Sequence, residues 1–342
     1  AVGGGFTTCR WVINAQVRKG YDRDDLDAHG AQIAGALGLS GTGVVMLTDV
    51  NVASHHRAQF EGADVTATVG VSDPTWENHK AIFSGVGLEV ASYRYFDAAT
   101  NGLDFAGLKQ SLSAAGKGDA VLLHACCHNP SGVDPTLAQW EEIAQLLADK
   151  GALPLVDFAY QGFGDGIEAD AAGLRAIAKK HDELLVCSSF SKNFGLYNER
   201  TGALTVTAKS AAAGDAVLSQ LKVCARINYS NPPAHGGAIV TTILGDAALR
   251  QTWENELAEM CSRIAGMRHA FVAGLAKAGA QRDFSFITQQ KGMFSFSGLT
   301  KDQVERLKAE HAIYIVGSGR INVADMSNQT MDKLCQAIVS VL

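Results

Sequence analysis

The chain has 342 residues, 47% of them apolar and 19% charged, with a formal net charge of −6 at pH 7. That length suffices for two domains around a large buried core. The acidic balance offers no basic patch for nucleic acid. No apolar run approaches the roughly 20 residues that a membrane-spanning helix needs, so no nucleic-acid or membrane partner is expected.

The chain opens Ala1-Val2-Gly3-Gly4-Gly5-Phe6, without an initiator Met and without the basic-then-apolar pattern of a signal peptide. The cysteines number seven, an odd count, and no pair has zinc-ligand spacing. They read as reduced thiols of a cytoplasmic protein with no metal site.

Residues 1–68 are rich in Gly, Asp and Ala, and their periodicity is weak; they form a divergent N-terminal segment. From about Val69 short apolar runs alternate with amphipathic ones. Strands are predicted at Val69–Ser72, Leu88–Tyr93, Ala120–Ala125, Leu153–Phe158, Leu184–Ser189 and Ala203–Thr207. Helices are predicted at Thr136–Lys150, Asp170–His181 and Ser210–Ala225. This alternation predicts an α/β fold, a mainly parallel sheet flanked by helices, over residues 69–250.

A long helix follows at about Asp246–Ala278. Leu249, Trp253, Leu257, Met260, Ile264, Met267, Phe271 and Leu275 fall at steps of three and four and make one apolar stripe. At about 1.5 Å per residue it approaches 50 Å, long enough to bridge two domains. The remainder mixes predicted strands (Phe284–Gln289, Met293–Phe296, Ile321–Val323) with helices (Thr300–His311, Asn328–Leu342). Residues 251–342 therefore read as the interdomain helix and a smaller α+β domain.

Ligands of parallel sheets bind at the carboxyl ends of the strands. Asp73, His124, Asp157, Ser189 and Lys192 all lie at or just beyond such an end. Lys192 is the most informative of them. It stands in Ser188-Ser189-Phe190-Ser191-Lys192-Asn193-Phe194-Gly195, with Arg200 eight residues on. Lysine is the usual side chain for a Schiff base with a carbonyl cofactor. Small hydroxyls and an arginine fork suit a phosphate.

Taken together, these residues resemble the fold-type I, pyridoxal-phosphate-dependent aspartate aminotransferase family, the bacterial aspartate and aromatic aminotransferases above all. The resemblance covers about Val71–Leu342. It is carried by Val71-Ser72-Asp73-Pro74-Thr75-Trp76, His124-Ala125-Cys126-Cys127-His128-Asn129-Pro130-Ser131-Gly132 and Asp157-Phe158-Ala159-Tyr160-Gln161-Gly162-Phe163. The lysine motif, Asn228-Tyr229-Ser230-Asn231-Pro232-Pro233 and Gly319-Arg320-Ile321-Asn322 complete it in the family's order.

The resemblance implies pyridoxal 5'-phosphate as cofactor, with Lys192 as both its covalent anchor and the proton-transferring base. It implies Asp157 on the pyridine nitrogen, Tyr160 and Asn129 on the phenolate oxygen, Trp76 stacked on the ring and His79 behind it. Ser189, Ser191 and Arg200 match the phosphate cup. Arg320 matches the grip on the substrate α-carboxylate, with Asn129 and Trp76 beside it. Arg226 matches the arginine that reaches a distal carboxylate across a homodimer with shared active sites. A cis peptide at Asn129–Pro130 is implied as well.

Before the first motif the family supplies a Gly-Thr-Gly phosphate loop opening a helix. Either Ser40-Gly41-Thr42-Gly43 is that loop, or Thr66-Ala67-Thr68-Val69-Gly70 runs straight into Val71-Ser72-Asp73 with the loop deleted. The implied activity is an enzyme's, an aminotransferase moving the amino group of L-aspartate to 2-oxoglutarate in a ping-pong cycle. Aromatic amino acids are the alternative donors. The alternative from another class is a catalytically weak, truncated paralogue acting as a binding or dimer partner.

Overall fold

The computed structural model describes residues 10–12, 43–47 and 67–342. Its centre is an eight-stranded sheet in the order β1-β2-β10-β9-β8-β7-β3-β4. The strands are β1 (Arg10–Val12), β2 (Gly43–Leu47), β3 (Thr68–Asp73), β4 (Glu89–Arg94), β7 (Ala120–His124), β8 (Leu153–Phe158), β9 (Leu184–Ser189) and β10 (Gly202–Thr207). The short hairpin β5 (Phe96–Asp97) and β6 (Gly102–Leu103) stands apart. Neighbours from β4 to β9 pair in parallel, and β10 runs antiparallel to both β9 and β2. The predicted strands of the large domain all form, within a residue or two.

Helix ends follow from local chemistry. Thr136 and Gln139 make a reciprocal capping box at the start of Leu137–Lys150, and Gly151, at φ 67°, closes that helix in the left-handed region. Asp246 accepts from the N–H groups of Ala248 and Leu249 and so starts the helix Ala247–Lys277.

Two expectations fail. The predicted helix Asp170–His181 is split into Ile167–Asp170 and Ala172–Ala178. The Asp170 carboxylate is buried and accepts from the N–H groups of Gly162, Gly164 and Asp165. Closing that loop fixes Asp170 in place and interrupts the helix. The predicted strand Phe284–Gln289 is instead a 3₁₀ helix, Ser285–Gln289. Asp283 accepts from both the N–H and the hydroxyl of Ser285, a local bond that turns the chain. The helices Glu77–Gly85, Phe105–Leu112 and Ala234–Gly245 were not anticipated.

In the long helix Trp253, Leu257, Ile264, Phe271 and Leu275 are buried, but Leu249 and Met260 are exposed. Phe271 and Leu275 belong to the same apolar core as Val156 and Leu184 of the central strands. Beyond the helix, β11 (Phe294–Phe296) pairs antiparallel with β12 (Arg320–Asn322). The helices Lys301–His311 and Asn328–Val341 accompany that pair. Among the described residues no helix is long and apolar enough to cross a membrane.

Positions 40–42, of the first candidate phosphate loop, lie outside the described residues, and Gly43 opens β2. In the second candidate Thr66 lies outside them too. Thr68–Asp73 is a single strand, so Val69-Gly70-Val71 carries no loop.

Candidate active site

Parallel pairing in register brings the strand ends to one rim. His124 ends β7 opposite Asp157 of β8, and Asp157 stands opposite Cys187 of β9, two residues before Ser189. Asp157 follows a run of apolar residues and is buried with them, and a buried carboxylate needs partners. His79 supplies one, its Nε2 lying 3.1 Å from Asp157 Oδ2. The carboxylate only accepts, so Nε2 carries the proton. In the neutral tautomer Nδ1 then accepts from the Thr75 hydroxyl at 2.8 Å. The Trp76 ring stands edge-on to His79, with centroids 5.2 Å apart.

Burial by itself would raise the Asp157 pKa. The His79 hydrogen bond first, with the charge of nearby Lys192, outweighs it and holds the carboxyl below its usual range. Asp157 Oδ1, also buried, has no hydrogen-bond partner among the described residues. His124 Nε2 lies 4.0 Å from Oδ2, too far to bond, and both its ring nitrogens are buried without partners. Burial first, then His128, push its pKa well down, so the ring is neutral.

Lys192 sits three residues past β9. The turn is tied by the Ser191 N–H donating to Ser189 Oγ at 3.2 Å, and both serines are buried. The next residue is anchored on two sides. Trp253 Nε1 donates to Asn193 O at 2.7 Å, and Asn193 Nδ2 donates to Gln161 O at 3.3 Å. Lys192 Nζ lies 4.7 Å from the centroid of the Tyr160 ring. Burial lowers the ammonium pKa, Asp157 opposes that, and Arg200 adds to it. Arg200 itself is exposed, with φ 54°, and donates to Tyr197 O at 3.0 Å.

Tyr160 is buried, and Asn129 Nδ2 donates to its hydroxyl at 3.3 Å. Burial first, then the charge of Asp157, raise the phenol's pKa, while the Asn129 bond opposes them. Tyr160 therefore keeps its proton and can donate it. Arg320 NH1 donates to Asn129 Oδ1 at 3.4 Å, and its guanidinium carbon lies 4.8 Å from the Phe294 ring centroid. Asn129 thus joins Tyr160, two residues past β8, to Arg320 of β12.

One residue before Asn129, His128 is completely buried and pins the end of β3 to the turn at Ser131. Its Nε2 is 2.9 Å from Ser72 Oγ and its Nδ1 is 2.8 Å from Ser131 Oγ, while Tyr95 stacks on the ring at 3.9 Å. Burial pushes its pKa down to about 3. The Asn129–Pro130 peptide is cis, as the resemblance implies, and Asp73–Pro74 is cis too.

Of the predicted residues, then, Trp76, His79, Asp157, Lys192, Tyr160, Asn129, Arg320, Ser189 and Ser191 gather at one rim. Arg226 does not join them. It is exposed near the end of the helix Ala211–Asn228 and donates to Ser230 Oγ at 2.6 Å. Sequence reasoning missed His128, Thr75 and Phe294 as site residues. His128 and Thr75 stand inside quoted motifs, but Phe294 carried no such signal.

A parallel sheet with polar groups on the carboxyl ends of β3, β7, β8 and β9, joined by a long helix to a smaller α+β unit, is the architecture of the fold-type I transferases. The comparisons narrow this to a family. The family model for aminotransferase class I and II matches residues 41–338, starting ahead of Val71, where the motifs begin. The aspartate aminotransferase of Haemophilus influenzae is 53% identical over 323 residues, 94% of this chain and 79% of that protein. The aspartate aminotransferase of Escherichia coli is 58% identical over 274 residues, 80% of this chain and 69% of that one. Among solved structures, the aromatic-amino-acid aminotransferase of Burkholderia pseudomallei, covalently bound to pyridoxal phosphate, superposes with a TM-score of 0.88. It is 44% identical, and the match covers 95% of this chain and 84% of that one. The chain belongs to the class I and II aminotransferase family.

Proposed function

We propose that this protein is a pyridoxal-phosphate-dependent aminotransferase that takes its amino group from L-aspartate and delivers it to 2-oxoglutarate. The observation that carries the reading is the buried Asp157, ionised, held on one oxygen by His79 and unpartnered on the other, beside the lowered-pKa Lys192. An unpartnered buried carboxylate oxygen fits an N–H donor such as a protonated pyridine. Names of relatives support the donor: those at 52–59% identity include aspartate aminotransferases.

The residues at hand fit the cofactor. Lys192 would anchor it, Asp157 and His79 hold its ring nitrogen, Tyr160 and Asn129 its phenolate oxygen, and Trp76 its face. Ser189, Ser191 and Arg200 would hold its phosphate. When bound, pyridoxal phosphate supplies an electron sink that lets the Cα–H bond of an amino acid break.

The protein's own groups do the rest. Lys192 Nζ, its charged form disfavoured by burial, would take the proton from the substrate Cα and hold it as an ammonium. Asp157, kept ionised, would hold a proton on the ring nitrogen of a bound cofactor. Arg320 offers its planar fork to the substrate α-carboxylate, steadied by Asn129. Because Arg320 stands on β12, outside the central sheet, its grip on the carboxylate would tie the smaller unit to the rim, where it already meets Asn129.

The reading divides the chain into residues 1–68, a PLP-binding domain 69–250, and an interdomain helix with small domain 251–342. It includes a cytoplasmic homodimer. The six cysteines among the described residues are all free. Val223 and Ile227 stand exposed beside Arg226 on one helix, which suits an apolar subunit contact that carries Arg226 to the partner's distal-carboxylate site.

The experiment is half-transamination. Purified protein mixed with L-aspartate alone should convert the cofactor's absorbance from its aldehyde to its amine form, and 2-oxoglutarate should reverse it. Conversion by L-phenylalanine or L-tyrosine in preference to aspartate favours the aromatic reading, which the PLP-bound Burkholderia enzyme supports. No conversion by either overturns the enzymatic reading in favour of a catalytically weak paralogue.

A further inference from the structure

Arg268 occupies the inward stripe of the helix Ala247–Lys277, between Ile264 and Phe271, and is 3% exposed. Its guanidinium donates to four acceptors, the carbonyls of Ile287 (3.3 Å), Gly292 (2.6 Å) and Phe294 (2.8 Å) and the hydroxyl of Ser295. None of these is a carboxylate. Burial lowers the pKa to about 10, so the group stays cationic at neutral pH. Among the described residues its hydrogen-bond acceptors are all neutral, and the charge of nearby Asp134 offsets only part of the effect of burial. Such a buried cation is costly, and a leucine would fill this stripe without that cost. The arginine's distinctive contribution is to fix the segment from Ile287 to Ser295.

That segment touches two parts of the candidate site. Its strand β11 pairs with β12, Phe294 opposite Asn322 and Phe296 opposite Arg320. The Phe294 ring lies 4.8 Å from the Arg320 guanidinium carbon and meets Tyr160 edge-on at 6.3 Å. On the other side the Lys291 N–H donates to Gly132 O at 2.6 Å, and the Phe296 N–H donates to Ser131 O at 3.4 Å. A Cβ on Gly132, at φ 72°, would come within 2.6 Å of Phe294 O, so the approach requires glycine.

We propose that Arg268 is a positioning residue for substrate carboxylate recognition: by gripping the backbone under Phe294 it holds that ring and β12 so that Arg320 presents its fork beside Asn129. The proposal rests on the reading that Arg320 binds the α-carboxylate. It involves no bond making. Lysine at 268 keeps the charge but cannot span acceptors fixed for a planar fork.

The test is a double-mutant cycle on the holoenzyme. Succinate, a dicarboxylate with no amino group to transfer, is titrated calorimetrically into the parent, Arg268→Lys, Arg320→Lys and the double variant. Acting through Arg320, Arg268→Lys weakens succinate binding about tenfold in the parent and less than about threefold in the Arg320→Lys background. The cofactor spectrum stays unchanged. Equal losses in both backgrounds, or none in either, overturn the proposal, because a merely structural arginine acts independently of Arg320. If Arg268→Lys does not fold, Ser295→Ala removes one acceptor and keeps the charge. It should weaken succinate about threefold only where Arg320 is present, and equal effects in the two backgrounds overturn the proposal. A folded parent that binds no succinate and transaminates no dicarboxylate overturns the reading of the site, and this proposal with it.

Discussion

His79 Nε2 stands 3.1 Å from Asp157 Oδ2 while Oδ1 of the same buried carboxylate has no partner among the described residues. One oxygen is thus committed to orientation and the other remains available to an N–H donor. His79→Phe removes the bond that opposes burial, so the Asp157 pKa rises and the acid limb of activity moves to higher pH. A net bond worth about 1 kcal/mol implies roughly fivefold weaker cofactor binding. Fluorescence titration of the apoprotein with pyridoxal phosphate checks the affinity. Unchanged affinity and an unchanged acid limb would show that His79 only fills space.

Lys192→Ala should abolish turnover and leave no covalent cofactor adduct after borohydride reduction. The motive is the turn anchored by Trp253 and Asn193, which presents Lys192 Nζ to the Tyr160 ring and near Asp157. Mass spectrometry of the reduced protein decides it. An adduct at the parental level in the variant would assign the anchor to another lysine.

Arg226→Leu should cost at least tenfold in kcat/KM for aspartate, since a hydrogen bond to a charged group is worth about 1.5–3 kcal/mol. Phenylalanine, with no distal carboxylate, should lose much less. Arg226 is exposed and, among the described residues, bonded only locally to Ser230, so the effect depends on assembly with a second subunit. Equal losses for both amino acids would give Arg226 a role in the dimer contact rather than in reading substrate.

His128 makes acid stability fall. Its folded pKa is depressed to about 3, against about 6.5 for an unperturbed histidine. Between those values the unfolded chain binds the extra proton, so this stability is present above pH 6.5 and lost as pH falls toward 3. One group contributes a slope of up to about 1.4 kcal/mol per pH unit across that window. Urea unfolding of His128→Gln at several pH values should give a correspondingly flatter profile. A parallel profile would mean that His128 does not carry the acid sensitivity.

The large domain was legible because its elements carry their own signals. The strands β7, β8 and β9 are short apolar runs, and Thr136 with Gln139 writes a helix start into adjacent residues. Asp157, Lys192, Asn129, Tyr160 and Arg320 were singled out in the same way, each from a short motif, and the fold brings them to one rim. The 3₁₀ turn at Ser285–Gln289 was misread because its apolar residues fit a strand, and the Asp283 bonds that turn it carry no hydrophobic period.

What the sequence determined by itself is therefore local, namely apolar period, caps and the polar residues at strand ends. Only the tertiary structure decided what those residues meet. His79 and Asp157 are 78 positions apart, and Arg320 and Asn129 are 191 apart. The predicted apolar stripe runs through Met267 and leaves out Arg268, which the fold buries among four neutral acceptors. The physical reason is that a buried polar group is tolerable only through partners, and partners far apart in the chain are supplied by packing, which no local period records.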